Sequence, residues 1–369
     1  MQNPPAMSEV KNPVDELLAR LPDSPDGYPQ KLDPIRRAVL LIGLGESAYR
    51  AASFLDDRIL GPATRGGWAT VERIAAAADA VRNPRPLHYI FHTGHVGSTL
   101  VSRLLDETGA VLSLREPLPL RTLAEVQDLL GQPESLLDGA EYERLMMSFQ
   151  RLWSRGYATT SCVVVKATSS TGRAAPALLG QNQSTRGIYL NVAAEPYLAT
   201  LLAGQNSPID LRGHATERMR RLRTRVRAPL TPVHALSLGE LAAMSWLTES
   251  LTQREALERH AGRIKAVDFE QFLADVPTGL KLLLSHLGLP DDRDTVDRIV
   301  RSAVLTRYSK APEHPYGAAL RASILDQARR EHREELARGM RWLEQVTKTD
   351  DAAAAAWSRS STTSASGSA

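Results

Sequence analysis

Gly94-His95-Val96-Gly97-Ser98-Thr99 stands between an apolar run at Leu87 to Phe91 and a stretch in which Leu100, Val101, Leu104 and Leu105 recur at helical spacing. A strand, a glycine turn and a helix in that order build an anion site. Gly94 and Gly97 permit close backbone approach, Ser98 and Thr99 add hydroxyls, and the amides of the first helical turn point outward with the positive end of the helix dipole. A nucleotide phosphate is the usual guest of such a loop. No lysine precedes Ser98, however, because Gly97 occupies that place. The loop therefore lacks the lysine-bearing cradle of ATP with magnesium. Further on, a second apolar run ends at Glu116-Pro117, a carboxylate on the sheet edge where ligands of open α/β folds gather. Such a group could take a proton from a reacting hydroxyl. It could also pair with the adjacent Arg115 or cap the helix that follows.

A glycine loop ending in Gly-Ser-Thr-Leu and followed by Glu116-Pro117 resembles the sulfotransferase family. Val267 to Pro290, with Phe269, Glu270 and the closing Leu287-Gly288-Leu289-Pro290, is similar to that family's late strand and helix. The resemblance runs from about Leu87 to Tyr308 and points to a divergent bacterial-type member dependent on 3'-phosphoadenosine 5'-phosphosulfate. It implies that Gly94, His95, Val96, Gly97, Ser98 and Thr99 hold the 5'-phosphosulfate, that Glu116 is the base, and that Lys166 stands beside the sulfuryl group. His95 falls where relatives carry Lys or Arg, and it could act as an imidazolium or as a neutral donor. Thr168 replaces the histidine of the cytosolic branch, which strengthens the case for Glu116. Around Tyr189, Val192 falls at the place of the arginine that meets the nucleotide's 3'-phosphate, and Thr200 at that of a serine. Arg212 or Arg218 could supply the missing charge, and Arg307 with Lys310 would form a late basic loop over the nucleotide. The implied acceptor is a small molecule or a glycan.

Sulfuryl transfer demands an in-line oxygen or amine nucleophile, a base near it, and positive charge where the bridging oxygen departs. The sulfuryl group carries less charge than a phosphoryl group, so the chemistry does not require a divalent metal. A P-loop kinase would need a lysine and a magnesium carboxylate that the sequence does not offer. A non-catalytic nucleotide-binding or regulatory protein is compatible with His95 and Val192.

These residues need a scaffold of alternating elements. Strands at Ser161 to Lys166, Thr185 to Val192 and Arg263 to Phe269, and helices to about Tyr157, at Leu236 to Ala261 and at Val276 to Leu287, predict an α/β P-loop nucleotide-binding fold with a mostly parallel central sheet flanked by helices. Before it, residues 1–84 read as a lead-in with a short helix at Val14 to Leu21 and a helical extension, with helices from Pro34 to about Leu60 and from Trp68 to Val81. Asp33-Pro34 supplies the helix-start signal. Residues 85–349 form the main domain. The Ala/Ser/Thr tail, 350–369, reads as disordered.

A chain of 369 residues with 43% hydrophobic content can bury a large core. Its net charge of +3 excludes a polycation, although seven arginines crowd Arg212 to Arg227, as a solvated helix face or an anion site. That segment has no interleaved aromatics, so nucleic acid is not an expected partner. The single cysteine, Cys162, reads as buried and excludes a disulfide framework, which makes a reducing cytoplasm the expected home. The opening MQNPPAMSEVKNP lacks a signal-peptide pattern, and no apolar stretch approaches the roughly 20 residues of a membrane span. His92 reads as structural and Trp246 as core, and the charged helix holding His332 and Glu335 as no metal site.

Overall fold

The computed structural model describes residues 12–365, with side chains as far as Ser358. Helix α1 (Pro13–Arg20) leads into strands β1 (Gly27–Asp33), β2 (Ala38–Gly43) and β3 (Gly66–Thr70), an antiparallel sheet in the order β1-β2-β3. The short α2 (Glu46–Ala51) lies between β2 and β3, and α3 (Val71–Asp79) follows them. The expected helix over Pro34 to Leu60 is thus not formed. Asp33 does cap backbone amides, Oδ1 accepting from Ile35 at 3.0 Å and Arg36 at 2.9 Å, but the turn it stabilises closes a hairpin in which Arg37 takes φ 51°. An aspartate before proline caps a turn as readily as a helix, and the Val-Leu-Leu-Ile run after it prefers a strand. The helix expected over Trp68 to Val81 likewise splits, because Trp68 belongs to β3 and Thr70 caps α3. The N-terminal extension is a small sheet with helices. The short helix expected near Val14 is α1, and lead-in residues before 12 lie outside the described residues.

The main sheet contains β4 (Leu87–His92), β5 (Val111–Arg115), β6 (Cys162–Lys166), β7 (Gly187–Asn191) and β8 (Ile264–Asp268). It is wholly parallel, in the order β5-β6-β4-β7-β8. Helix α4 (Ser98–Asp106) joins β4 to β5, α5 (Leu118–Gln127) and α6 (Gly139–Trp153) lead to β6, and α7 (Ala175–Gly180) leads to β7. Helices α8 (Ala194–Ala203), α9 (Ser207–Gly213), α10 (Ala215–Arg223) and α11 (Leu238–Arg259) come before β8. Beyond it are α12 (Phe269–Ala274), α13 (Val276–Leu287), α14 (Arg293–Val300), the hairpin β9 (Arg307–Tyr308) and β10 (Ala311–Pro315), then α15 (Ala318–Glu331), α16 (Arg333–Thr349) and α17 (Asp351–Ala365).

Strands buried on both faces explain the unbroken apolar runs of the sequence. Alternate residues feed two cores: Ile90 and Val164 pack with α4, α8 and α11, whereas Tyr89, Phe91, Val163 and Val165 pack with the N-terminal sheet, α5 and α6. The extension therefore shares a core with the sheet. Cys162 and Trp246 are buried as expected, and Trp246 Nε1 donates to the Val192 carbonyl at 2.9 Å. Against the expected disorder of the tail, α17 buries Ala353 and Ala356, with Asp350 accepting from the Ala353 amide at 2.9 Å. Alanine has the highest helix propensity, and a capped alanine face that can pack needs little else. Residues 366–369 lie outside the described residues.

Candidate active site

Strand β4 sits where the sheet's connections diverge, with β6 and then β5 on one side and β7 on the other. The crevice at the carboxyl ends of such strands is where open α/β sheets bind ligands. It holds a cavity of about 460 Å³ whose floor is Gly94 to Leu100. Gly94 (φ 104°), His95 (φ 53°) and Gly97 (φ 66°) curl the loop so that it enters α4 as a concavity of amides, a geometry that favours anions. Gly97 is required twice, since a Cβ there would lie 2.0 Å from the Phe269 ring in addition to the left-handed strain. His92 fixes the loop from beneath. Its Nε2 donates to the Ala167 carbonyl at 2.9 Å and its Nδ1 accepts the Gly94 amide at 3.1 Å, the neutral tautomer. Burial, with Lys166 and Lys310 nearby, holds His92 well below the ordinary histidine range. At the loop's end the Thr99 hydroxyl is buried, lines the cavity and has no partner among the described residues.

Glu116 and Lys166 meet at the wall of this cavity as an ion pair, with the Lys166 ammonium almost fully buried. Glu116 is held at φ 58° directly before Pro117, a conformation unusual for a non-glycine residue and more so before proline. Its amide donates to the Lys166 carbonyl at 2.7 Å, and Thr168 Oγ1 lies 3.4 Å from its second carboxylate oxygen. The alternative pairing with Arg115 is not made. Arg115 points away, bonded to Asp106, to Ser102 at 3.0 Å and to the Ala52 carbonyl at 2.7 Å. Burial lowers the Lys166 pKa, and Glu116 opposes that shift.

Lys310 and Arg307 reach the cavity from the β9–β10 hairpin, and Arg321 from α15. Lys310 has no hydrogen bond or ion pair among the described residues. Its surroundings, then the neighbouring Lys166, lower its pKa. His95 is exposed toward the cavity, yet the surrounding protein, then Lys310, hold its imidazole down, to about 4. Its access to solvent moderates that depression, and an anion in the loop would reverse it. Thr200 also lines the cavity, its hydroxyl donating to the Pro196 carbonyl at 2.7 Å. Around a single carboxylate, Glu116, four cationic side chains face this space. That balance suits an anion.

The structure thus brings Gly94 to Thr99, Glu116, Lys166, Thr200, Arg307 and Lys310 together. Arg212 is not among them. It is exposed on α9, outside the cavity lining, because the helix turns that side chain to solvent. Arg218 is engaged with Asp210 at 3.0 Å, and Val192 is buried in the core. Sequence reasoning missed the Phe54 wall, with Arg58 stacked 3.6 Å from its ring centroid, and it missed Arg321. Phe54 lies within the segment misread as helix, and no motif marks it. Among the described residues no group of three His, Cys, Asp or Glu could hold a metal ion, and no helix is long and apolar enough to cross a membrane.

No family model matches the sequence, and no curated protein does. Solved structures similar to this chain include a sulfotransferase domain from the curacin biosynthetic pathway, at TM-score 0.37 and 14% identity, covering 68% of this chain and 98% of that one. A mouse sulfotransferase complexed with PAP aligns at TM-score 0.39 and 11% identity over 77% and 92% of the two chains. A sulfotransferase from Mycobacterium avium aligns at TM-score 0.38 and 13% identity over 89% and 97%. Likeness at this level assigns no role to any residue here, so function must come from the site itself.

Proposed function

We propose that the protein is a sulfotransferase that moves the sulfuryl group of 3'-phosphoadenosine 5'-phosphosulfate to a hydroxyl or amine of a small-molecule or glycan acceptor. One observation carries the reading: a lysine-free, left-handed glycine loop and a Glu116–Lys166 pair share one cavity with Lys310, a cation in no ion pair among the described residues. In this reading the loop amides and the orphaned Thr99 hydroxyl receive the 5'-phosphosulfate. Glu116 takes the proton of the acceptor as its oxygen or nitrogen bonds to sulfur. The bond from sulfur to the bridging oxygen breaks in line, and the charge that develops on that oxygen is met by Lys166, released from Glu116 as the carboxylate is protonated, and by Lys310.

The 3'-phosphate cannot be served by Val192 or Arg212. Thr200 and Arg321 suit it better: α15 packs Leu325 onto Ala199 of α8, and Arg321 lies one turn earlier on the cavity side. Arg321 already pairs with Glu270 at 2.6 Å, so its charge is shared.

Calorimetry in EDTA tests the assignment. The nucleotide 3'-phosphoadenosine 5'-phosphate should bind without magnesium and more tightly than Mg-ATP. Preference for Mg-ATP would favour a kinase, and binding of neither would favour a non-nucleotide role.

A further inference from the structure

The helix that begins at the glycine loop also ties down two distant segments through one side chain. Arg103, on α4, donates from Nε to the Ser309 carbonyl at 2.7 Å. From Nη2 it donates to the Ala51 carbonyl at 3.2 Å and to Ser53 Oγ at 2.9 Å. Ser309 precedes Lys310, and Ser53 precedes Phe54, so each tethered residue adjoins one that lines the cavity. All three acceptors are neutral, so the guanidinium's planar set of donors acts here as a bracket more than as an ion-pair partner.

The two tethered segments differ in how much else holds them. Beside Ser53, the Leu55 amide donates to the Arg115 carbonyl at 2.7 Å and the Leu55 carbonyl accepts from Tyr28 at 3.3 Å. The hairpin is poorer. Its strands pair at only two irregular positions and contain no buried residue, and its closing bond, the Tyr316 amide to the Thr306 carbonyl at 3.0 Å, is internal. The bond from Arg103 to Ser309 is its strong polar tie to the body of the protein.

We infer that Arg103 is the positioning residue that seats the β9–β10 hairpin over the glycine loop, and that it registers the hairpin against the Phe54 wall, so that Lys310 stands opposite Glu116 and Lys166. The inference rests on the proposed function only for the identity of the anion that Lys310 meets. The seating itself does not depend on it. Lysine cannot replace arginine here, because one ammonium cannot span two carbonyls on separate segments as a planar fork does.

Native-state trypsin digestion of the full chain reads the seating directly, since Arg307 and Lys310 are cleavage sites in the hairpin. In Arg103→Met, cleavage there should accelerate by roughly 10-fold or more, as expected for losing bonds from a charged donor to a locally opening segment. Cleavage elsewhere and the melting temperature should stay near wild type. Arg103→Lys, which keeps charge and stem, should fold and show an intermediate acceleration. Hairpin cleavage at the wild-type rate in both variants overturns the inference, and so does acceleration shared equally by all sites. A second readout is 3'-phosphoadenosine 5'-phosphate affinity. Arg103→Met should weaken it, and Arg103→Met with Lys310→Ala should be no weaker than Lys310→Ala alone, because the bracket acts through that lysine. Additive losses overturn the coupling. If wild type binds no nucleotide, the proposed function fails while the digestion result still decides the role of Arg103.

Discussion

Two stretches of this chain are conspicuous for their cations, and the fold uses them in opposite ways. In Arg212 to Arg227 four of the seven arginines pair with carboxylates, and two of these, Arg218 and Arg221, are buried. Arg221 is buried against Glu249 at 2.8 Å and Glu217 at 3.3 Å, Arg225 pairs with Glu255 at 3.2 Å, and Arg218 with Asp210 at 3.0 Å. The hairpin at Arg307 and Lys310 carries fewer charges, yet Lys310 makes no hydrogen bond or ion pair among the described residues and faces the cavity. A count of basic residues would select the first stretch as the anion site. What matters is charge left uncompensated where a ligand can reach it.

The sharpest way to break this contrast is to remove a cation from each stretch. Arg221→Ala should destabilise the protein by about 3–5 kcal/mol, because Glu249 would be left buried without its partner. Denaturant titration measures that loss, and a mild effect would mean that the segment is not structural. At the site, Glu116→Gln should slow turnover by roughly 100-fold or more while 3'-phosphoadenosine 5'-phosphate affinity changes little. Single-turnover assays with labelled donor would show this, and unchanged turnover would return Glu116 to a merely structural partner of Lys166. Lys310→Ala should weaken the nucleotide by about 10-fold with no loss of stability, the reverse of Arg221→Ala.

Stability should also respond to pH through two buried histidines of β4, His88 and His92. Burial lowers His88 to about 4 and holds His92 well below its ordinary value. The unfolded chain then binds more protons below an unfolded pKa of roughly 6.5, so stability is full above that pH. It falls as the pH drops toward 4, by about 1.4 kcal/mol per pH unit for each histidine. Urea midpoints at pH 7 and pH 5 would reveal this, and equal midpoints would contradict it. The smallest effect is expected from Arg212→Ala, within about 0.5 kcal/mol in stability and without change in nucleotide affinity, as for other exposed positions.

The parallel sheet was legible because both of its faces are covered, which writes each strand as a short apolar run such as Cys162 to Lys166 between turn residues. The loop and Glu116 were legible because their chemistry is local in sequence. The N-terminal sheet was not. Asp33-Pro34 signals a turn that either a helix or a hairpin can use, and only long-range pairing of β2 with β1 and β3 decides between them. The fate of the arginines was equally hidden, since Arg221 and Glu249 are 28 residues apart and meet only when α10 packs on α11. Composition misled at the tail, where small side chains that look unable to bury anything pack a helix closely. Phe54, Arg321 and the Arg103 bracket depend on segments distant in sequence coming together, which no local spacing encodes.

The strand order has a consequence for how the site comes into being. Strand β6 lies between β4 and β5 although it follows both in the chain. As the polypeptide emerges from the ribosome, the glycine loop and Glu116 are therefore made early but have no shared sheet to hold them, and the gap is filled only when Cys162 to Lys166 arrives. The same strand brings Lys166, the partner of Glu116, and the carbonyl that anchors the Glu116 amide. Assembly of this edge of the cavity is thus tied to the insertion of one interior strand that follows both of its neighbours in the chain, a non-local step of the kind that slows folding. A nascent chain ending before residue 162 would hold both chemical groups without the geometry that relates them.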